Sequence, residues 1–235
     1  MSNLIMSVTP GKMGELLKSY LVKEISGTPV SKTFPIVFIE RITDFISLVL
    51  IALAGAYLFN FGRAIVLGVG IFFIIISIIL SNRKLALPLI KLFERIKFLR
   101  RHLESIHNAY ETSYILLQPL PLFYMTMLGI ISWSFECFAY YLILINFHMK
   151  ISFLWAAFSY GFAIIVGAIS MLPGGLGITE GSLTFMLVQN NFSKDLAVAS
   201  TFLIRAVTLW FAVLVGIISV TFYQNRYGKI TVEPI

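Results

Sequence analysis

Runs of apolar residues long enough to cross a lipid bilayer recur along this chain, and few architectures accommodate them. Residues 36–59, 64–80, 122–147, 153–171 and 196–223 are dominated by Ile, Leu, Val, Phe and Ala, and a half-length piece lies at 178–188. A hydrocarbon core of about 30 Å takes about 20 helical residues at 1.5 Å each. Inside it every backbone polar group must find its partner within the protein, which for such runs means helices. Composition points the same way. The chain is 58% hydrophobic and 12% charged, whereas soluble domains carry about 25% charged residues. Its 21 Phe suit a lipid-facing surface. The expected fold class is therefore all-α: a polytopic integral membrane protein, residues 1–235 forming a single transmembrane domain.

The net charge of +7 does not indicate nucleic acid, because the basic residues flank the apolar runs. They suit anionic lipid and orientation by positive charge. Thirteen Lys/Arg lie before residue 36, between 83 and 101, or after 223, and only Arg63, Lys150 and Lys194 lie in the remaining loops. That asymmetry predicts a multi-pass protein of the cell membrane with both termini cytoplasmic. The segment 83–114 alternates Lys91, Arg95, Lys97, Arg100 and Arg101 with Leu and Phe, as an amphipathic interfacial helix does. No cleavable signal segment is visible, and the single Cys137 cannot form an internal disulfide.

Within this frame one unit occurs twice. Thr9-Pro10-Gly11-Lys12-Met13-Gly14-Glu15 leads to Arg41, and Leu172-Pro173-Gly174-Gly175-Leu176-Gly177-Ile178-Thr179-Glu180 leads to Arg205. A Ser-Lys pair intervenes each time, Ser31-Lys32 and Ser193-Lys194. The orientation constrains the second copy. Since 122–147 exits and 196–223 returns, 153–171 must descend, turn at Pro173-Gly174-Gly175, and climb back as 178–188. A helix starting at Gly177 would aim free N–H groups at that turn and favour an anion there. The first copy fits the same plan inverted, so repeat one (about 9–59) and repeat two (about 153–223) are expected to have opposite topology, as in many secondary transporters. The first copy has only eight residues before its motif. A descending helix is therefore expected to precede residue 1 or to come from a membrane partner or second copy.

The Thr9–Glu15 run, the sequence Glu40-Arg41-Ile42-Thr43-Asp44, and the Leu172–Gly177 motif with Glu180 together resemble the lysylphosphatidylglycerol synthase transmembrane family. Its members are also called flippase-like domain proteins, and the resemblance covers about 9–223. It implies a polytopic domain that moves, or helps to move, a charged lipid between leaflets. The founding members carry a soluble aminoacyl-transferase domain after the membrane part, and only a twelve-residue tail follows Tyr223 here.

Six ionisable residues fall inside or at the edge of apolar runs: Glu40, Arg41, Asp44, Glu136, Glu180 and Arg205. Each costs about 2.5–3.5 kcal/mol or more at a helix centre, so none should face lipid alone. One reading is that they pair and lock helices together, and Glu40, Arg41 and Asp44 could also snorkel to the interface. The functional reading is that Arg41 and Arg205 hold a lipid phosphate through the planar guanidinium fork. In that reading Glu15 and Glu180 gate or pair them at turns built by Pro10, Gly11, Gly14, Pro173, Gly174, Gly175 and Gly177. Glu136 is expected to be a proton-coupled carboxylate or an arginine's partner. Glu40 and Asp44 share a face at i and i+4, and Arg41 is expected to point elsewhere.

No catalytic residues, metal ligands or cofactor are expected: the three histidines are scattered, and no Ser/His/Asp set, Walker loop or dinucleotide fingerprint is present. Two functions remain. One is flipping of an anionic or phosphate-linked lipid, a phospholipid or polyprenyl-phosphate glycolipid. The other is a membrane enzyme or accessory subunit in lipid-linked glycan or aminoacyl-phospholipid synthesis, for which the acids lack a carboxylate–metal motif.

Overall fold

The computed structural model describes residues 26–94 and 103–227, together with Ser19, Val22 and Lys23. The Thr9–Glu15 motif, with Pro10, Gly11, Gly14 and Glu15, lies outside the described residues, as do Arg95, Lys97, Arg100 and Arg101. Among the described residues the fold is all-helical and contains no strand. In chain order the helices are α1 (Val30–Leu58), α2 (Arg63–Ser81), α3 (Arg83–Glu94), α4 (Leu103–Leu116), α5 (Pro119–Asn146), α6 (Phe153–Ile169), α7 (Ile178–Gln189), α8 (Lys194–Arg205) and α9 (Phe211–Tyr227). Three of these stretches are long and apolar enough to cross a membrane: Arg63–Ser81, Pro119–Asn146 and Lys194–Ser219.

The centre belongs to α1 and α6. At 29 residues α1 is longer than any other described helix, and it packs against α2, α4, α5 and α6. From Trp155 to Ala163 every residue of α6 is buried. In lipid, apolar burial drives no association between helices, so close backbone approach and packing must hold them together. Small residues provide that approach. A Cβ at Gly55 would stand 2.3 Å from the Phe158 Cβ, and one at Gly161 would touch the Ala52 Cβ at 3.6 Å. Gly70 lies against Val49, and Gly129 against Ser47. The Ser47 hydroxyl crosses to the Thr126 carbonyl at 3.1 Å, joining α1 to α5.

On the outside, α2 buries only Val66, Gly70 and Ser77 and presents Ile71, Phe72, Ile74, Ile75 and Ile78 outward. It runs antiparallel to α1, with Gly70 beside Val49 and the Phe73 ring stacked on Phe45 at 4.4 Å. Arg63 returns to the end of α1, donating to the carbonyls of Ala56 (3.2 Å) and Tyr57 (2.7 Å), which otherwise lack intrahelical partners.

Two expectations change in detail. The segment 83–114 is not one helix: α3 and α4 are separate, and α3 is the amphipathic one. Arg83 ties them, donating to Glu111 at 2.8 Å with its guanidinium 4.5 Å from the Tyr114 ring centroid. Both partners are more than a third exposed. Replacing Glu111 by glutamine should therefore change thermal stability by less than about 1 kcal/mol, with the difference vanishing at high salt. The last apolar run is also divided. Ala206–Trp210 forms a π-turn between α8 and α9, directly after Arg205.

Candidate functional site

The hairpin expected at Pro173 is present, and its turn is built for close approach. The Ser152 hydroxyl caps α6 by accepting from the Trp155 amide at 3.2 Å, and α6 ends at Ile169. A 3-10 turn at Pro173–Gly175 reverses the chain into α7. Gly174 (φ 59°), Gly175 (φ 64°) and Gly177 (φ 82°) are left-handed, which glycine adopts without steric cost. The turn folds back over the end of α6. A Cβ on Gly175 would lie 3.2 Å from the Gly167 Cα, and one on Gly167 would lie 2.0 Å from the Thr179 Oγ1.

Into this turn projects Arg205, the last residue of α8 and 5% exposed. Its Nε donates to the Glu180 Oε1 at 2.5 Å and its Nη2 to the Gly174 carbonyl at 2.6 Å. The other carboxylate oxygen of Glu180 accepts the Gly177 amide at 2.6 Å, at the start of α7. One carboxylate thus sits between a buried guanidinium and a helix N-terminus. Both favour negative charge. The anion expected at this helix start is therefore the protein's own Glu180.

A second cluster lies beside the first. The Tyr160 hydroxyl of α6 donates to the Glu136 Oε2 of α5 at 2.7 Å. Thr208, in the π-turn after Arg205, donates its hydroxyl to the Ile204 carbonyl at 2.9 Å. Removing the phenol hydroxyl in Tyr160→Phe removes a hydrogen bond to a charged group. That change should lower thermal stability by about 1.5–3 kcal/mol in a detergent melt, while Tyr160→Trp should cost more by overpacking.

The third cluster corrects an expectation. Arg41 does not point away from Glu40 and Asp44. Its Nη1 lies 3.0 Å from the Asp44 carboxylate and its Nη2 3.4 Å from Glu40. Residues i and i+3 are neighbours on a helix as much as i and i+4 are, and the long guanidinium stem spans the offset. The indole N–H of Trp133, on α5, reaches Asp44 at 3.4 Å. Glu40 is the most exposed of the three side chains.

Sequence reasoning had Glu180 gating or pairing Arg205, took Trp133 as interface or packing, and passed over Tyr160. Tyr160 had one usable signal. It lies seven residues into α6, and Glu136 lies ten residues before the end of α5. Helices joined by a short loop therefore bring them to similar depth, where a buried phenol needs a partner. No group of three or more His, Cys, Asp or Glu fit to hold a metal occurs among the described residues.

Comparison with known proteins places the chain in a family. The family described as the lysylphosphatidylglycerol synthase TM region matches residues 1–216. A UPF0104 membrane protein of Methanocaldococcus jannaschii is 27% identical over 221 residues, covering 91% of this chain and 92% of that relative. Another, of Pyrococcus horikoshii, is 30% identical over 237 residues, covering 89% and 71%. A third, of Methanothermobacter thermautotrophicus, is 24% identical and covers 97% and 73%. No solved structure matches the chain.

Proposed function

The chain belongs to the lysylphosphatidylglycerol synthase transmembrane-region family, and on that premise we propose that it moves an anionic or phosphate-linked lipid between the leaflets of the cell membrane. The observation that carries the reading is the Glu180 carboxylate, held jointly by the Arg205 guanidinium and the Gly177 amide. A site that already accommodates one anion between a buried arginine and a helix N-terminus is chemically suited to another. A lipid phosphate would compete with Glu180 for the same donors, so that binding and release of the hairpin turn are coupled. Glu136 and Tyr160 would set the charge of the neighbouring space.

In this reading the chain is a transporter rather than an enzyme, with both termini cytoplasmic. Arg41, with Glu40 and Asp44, is the counterpart of Arg205 in an inverted first repeat, where Glu15 would take the place of Glu180.

The test is leaflet exchange of labelled phosphatidylglycerol by the purified full chain in liposomes. Wild-type exchange should be lost in Arg205→Ala and reduced in Arg41→Ala. Normal exchange by both variants would falsify the proposal. Transfer of a sugar or aminoacyl group without exchange would favour the enzymatic alternative instead.

A further inference from the structure

An apolar groove starts where the polar site ends. It holds about 350 Å³ and is lined by Phe162 and Val166 of α6, by Gly177, and by Ile178, Gly181 and Phe185 of α7, among others. That volume falls within the range of about 300–1,000 Å³ typical of ligand pockets. Gly177 belongs to both places: its amide is bonded to Glu180, and its backbone walls the groove. Along α7, Glu180 and Thr184 lie on the side that meets α8, where Thr184 bonds Thr201 at 3.4 Å. Gly177 and Gly181, four residues apart, share the adjoining face. The Phe61 ring of the α1–α2 loop lies 5.3 Å from Phe162 and 6.4 Å from Phe185.

We infer that this groove holds one hydrocarbon chain of the lipid whose phosphate is bound at Arg205, so that headgroup and tail are recognised in adjoining compartments. The inference rests on the phosphate reading of Arg205 and adds the tail as a part of the substrate that the protein grips. Three features favour a chain from the bilayer over other occupants. The lining is almost wholly apolar, the groove reaches Gly177, whose amide bonds Glu180, and Ile178 and Phe185 are exposed in a fold whose outer surface is lipid-like. Gly181 keeps the groove wide. A Cβ built there meets nothing within 4 Å, so a side chain at 181 starts into the groove without striking protein.

Gly181→Trp tests this in liposomes, because it fills the groove and leaves Arg205, Glu180 and the turn untouched. Exchange of long-chain phosphatidylglycerol should fall by at least about tenfold, the scale set by a filled apolar subsite, while binding of dihexanoyl phosphatidylglycerol stays at the wild-type level. Unchanged long-chain exchange would overturn the inference. Equal loss of long-chain exchange and short-chain binding would overturn it too, since the groove would then act only through the anion site. A second measurement needs no bulky variant. Phosphatidylglycerol with a photoreactive group at the tail end should cross-link wild-type protein within residues 178–186, and cross-links confined to other segments would count against the groove. A Gly181→Cys chain that forms disulfide-linked dimers and excludes the photolipid would assign the groove to a second copy, again overturning the inference. The two readings fail separately. If Arg205→Ala exchanges normally the phosphate reading is lost, whereas tail cross-linking at 178–186 reports on the groove alone.

Discussion

Arg205→Ala is expected to abolish lipid exchange and to cost about 3–5 kcal/mol of stability at once. The two losses share a cause. Without the guanidinium, Glu180 remains in a largely buried position with only the Gly177 amide, and the Gly174 carbonyl loses its donor. A carboxylate left with half its partners in a low-dielectric setting is the costly outcome, more than the missing attraction itself. Arg205→Lys separates charge from geometry. Lysine keeps the charge but cannot reach Glu180 and Gly174 simultaneously as a planar fork does. Thermal melts in detergent should therefore rank wild type above Arg205→Lys above Arg205→Ala. Exchange should fall in both variants. Full exchange in Arg205→Lys would mean that a point charge is sufficient and that the bidentate geometry is irrelevant. A double variant, Arg205→Ala with Glu180→Ala, should recover part of the lost stability without recovering exchange, because it removes the stranded charge but not the need for a phosphate donor.

Gly167→Val should open the hairpin. The first carbon of any side chain at 167 would fall 2.0 Å from the Thr179 Oγ1 and 3.3 Å from its Cβ, with the Gly175 backbone at 3.6 Å. Thr179 is 1% exposed, and a β-branched side chain has few rotamers in a helix to escape into. The turn must lift away from α6, which also displaces Gly174 from Arg205. Overpacking of this kind costs about 1–3 kcal/mol or more. The expected result is a lower melting temperature and increased proteolysis between α6 and α7. Gly167→Ala combined with Thr179→Ala should behave nearly as wild type, since the second change removes the oxygen that the first would strike. If Gly167→Val melts like wild type, the turn is not packed against α6 in the membrane.

How much of this was legible beforehand depends on which physical scale set each feature. The apolar runs read directly as helices, with α1 starting six residues earlier than its apolar run, because Ser31, Lys32 and Thr33 are compatible with a helix start that apolarity alone does not mark. The hairpin was legible because glycines at 174, 175 and 177 next to Pro173 permit left-handed backbone where a helix cannot continue. Pairing of Glu180 with Arg205 followed from the cost of leaving either charge alone in lipid. The fork's second bond, to the Gly174 carbonyl, was not legible: it depends on how far the turn folds back. The orientation of Arg41 was misjudged because the offset of one residue was weighed and the i, i+3 neighbour was not. The π-turn after Arg205 has no sequence marker at all, as Ala206–Trp210 reads as ordinary helix.

The sequence by itself determined that this chain is helical, that it belongs in a membrane, and that a few charges inside apolar helices must find each other. Each of these follows from local length, composition and the energetic cost of isolated charge in hydrocarbon. Which helices became the centre was decided only by the tertiary structure. α1 is less apolar than α2 and α6 about as apolar, yet both bury far more of their residues, because Gly55, Gly161 and Ala52 let their backbones approach where branched side chains would hold them apart. Only the packed structure likewise brings Tyr160 to Glu136 and Arg205 to the Gly174 carbonyl, contacts between residues 24 and 31 positions apart. Contacts at that range depend on side-chain volumes summed over several helices, which no single segment carries.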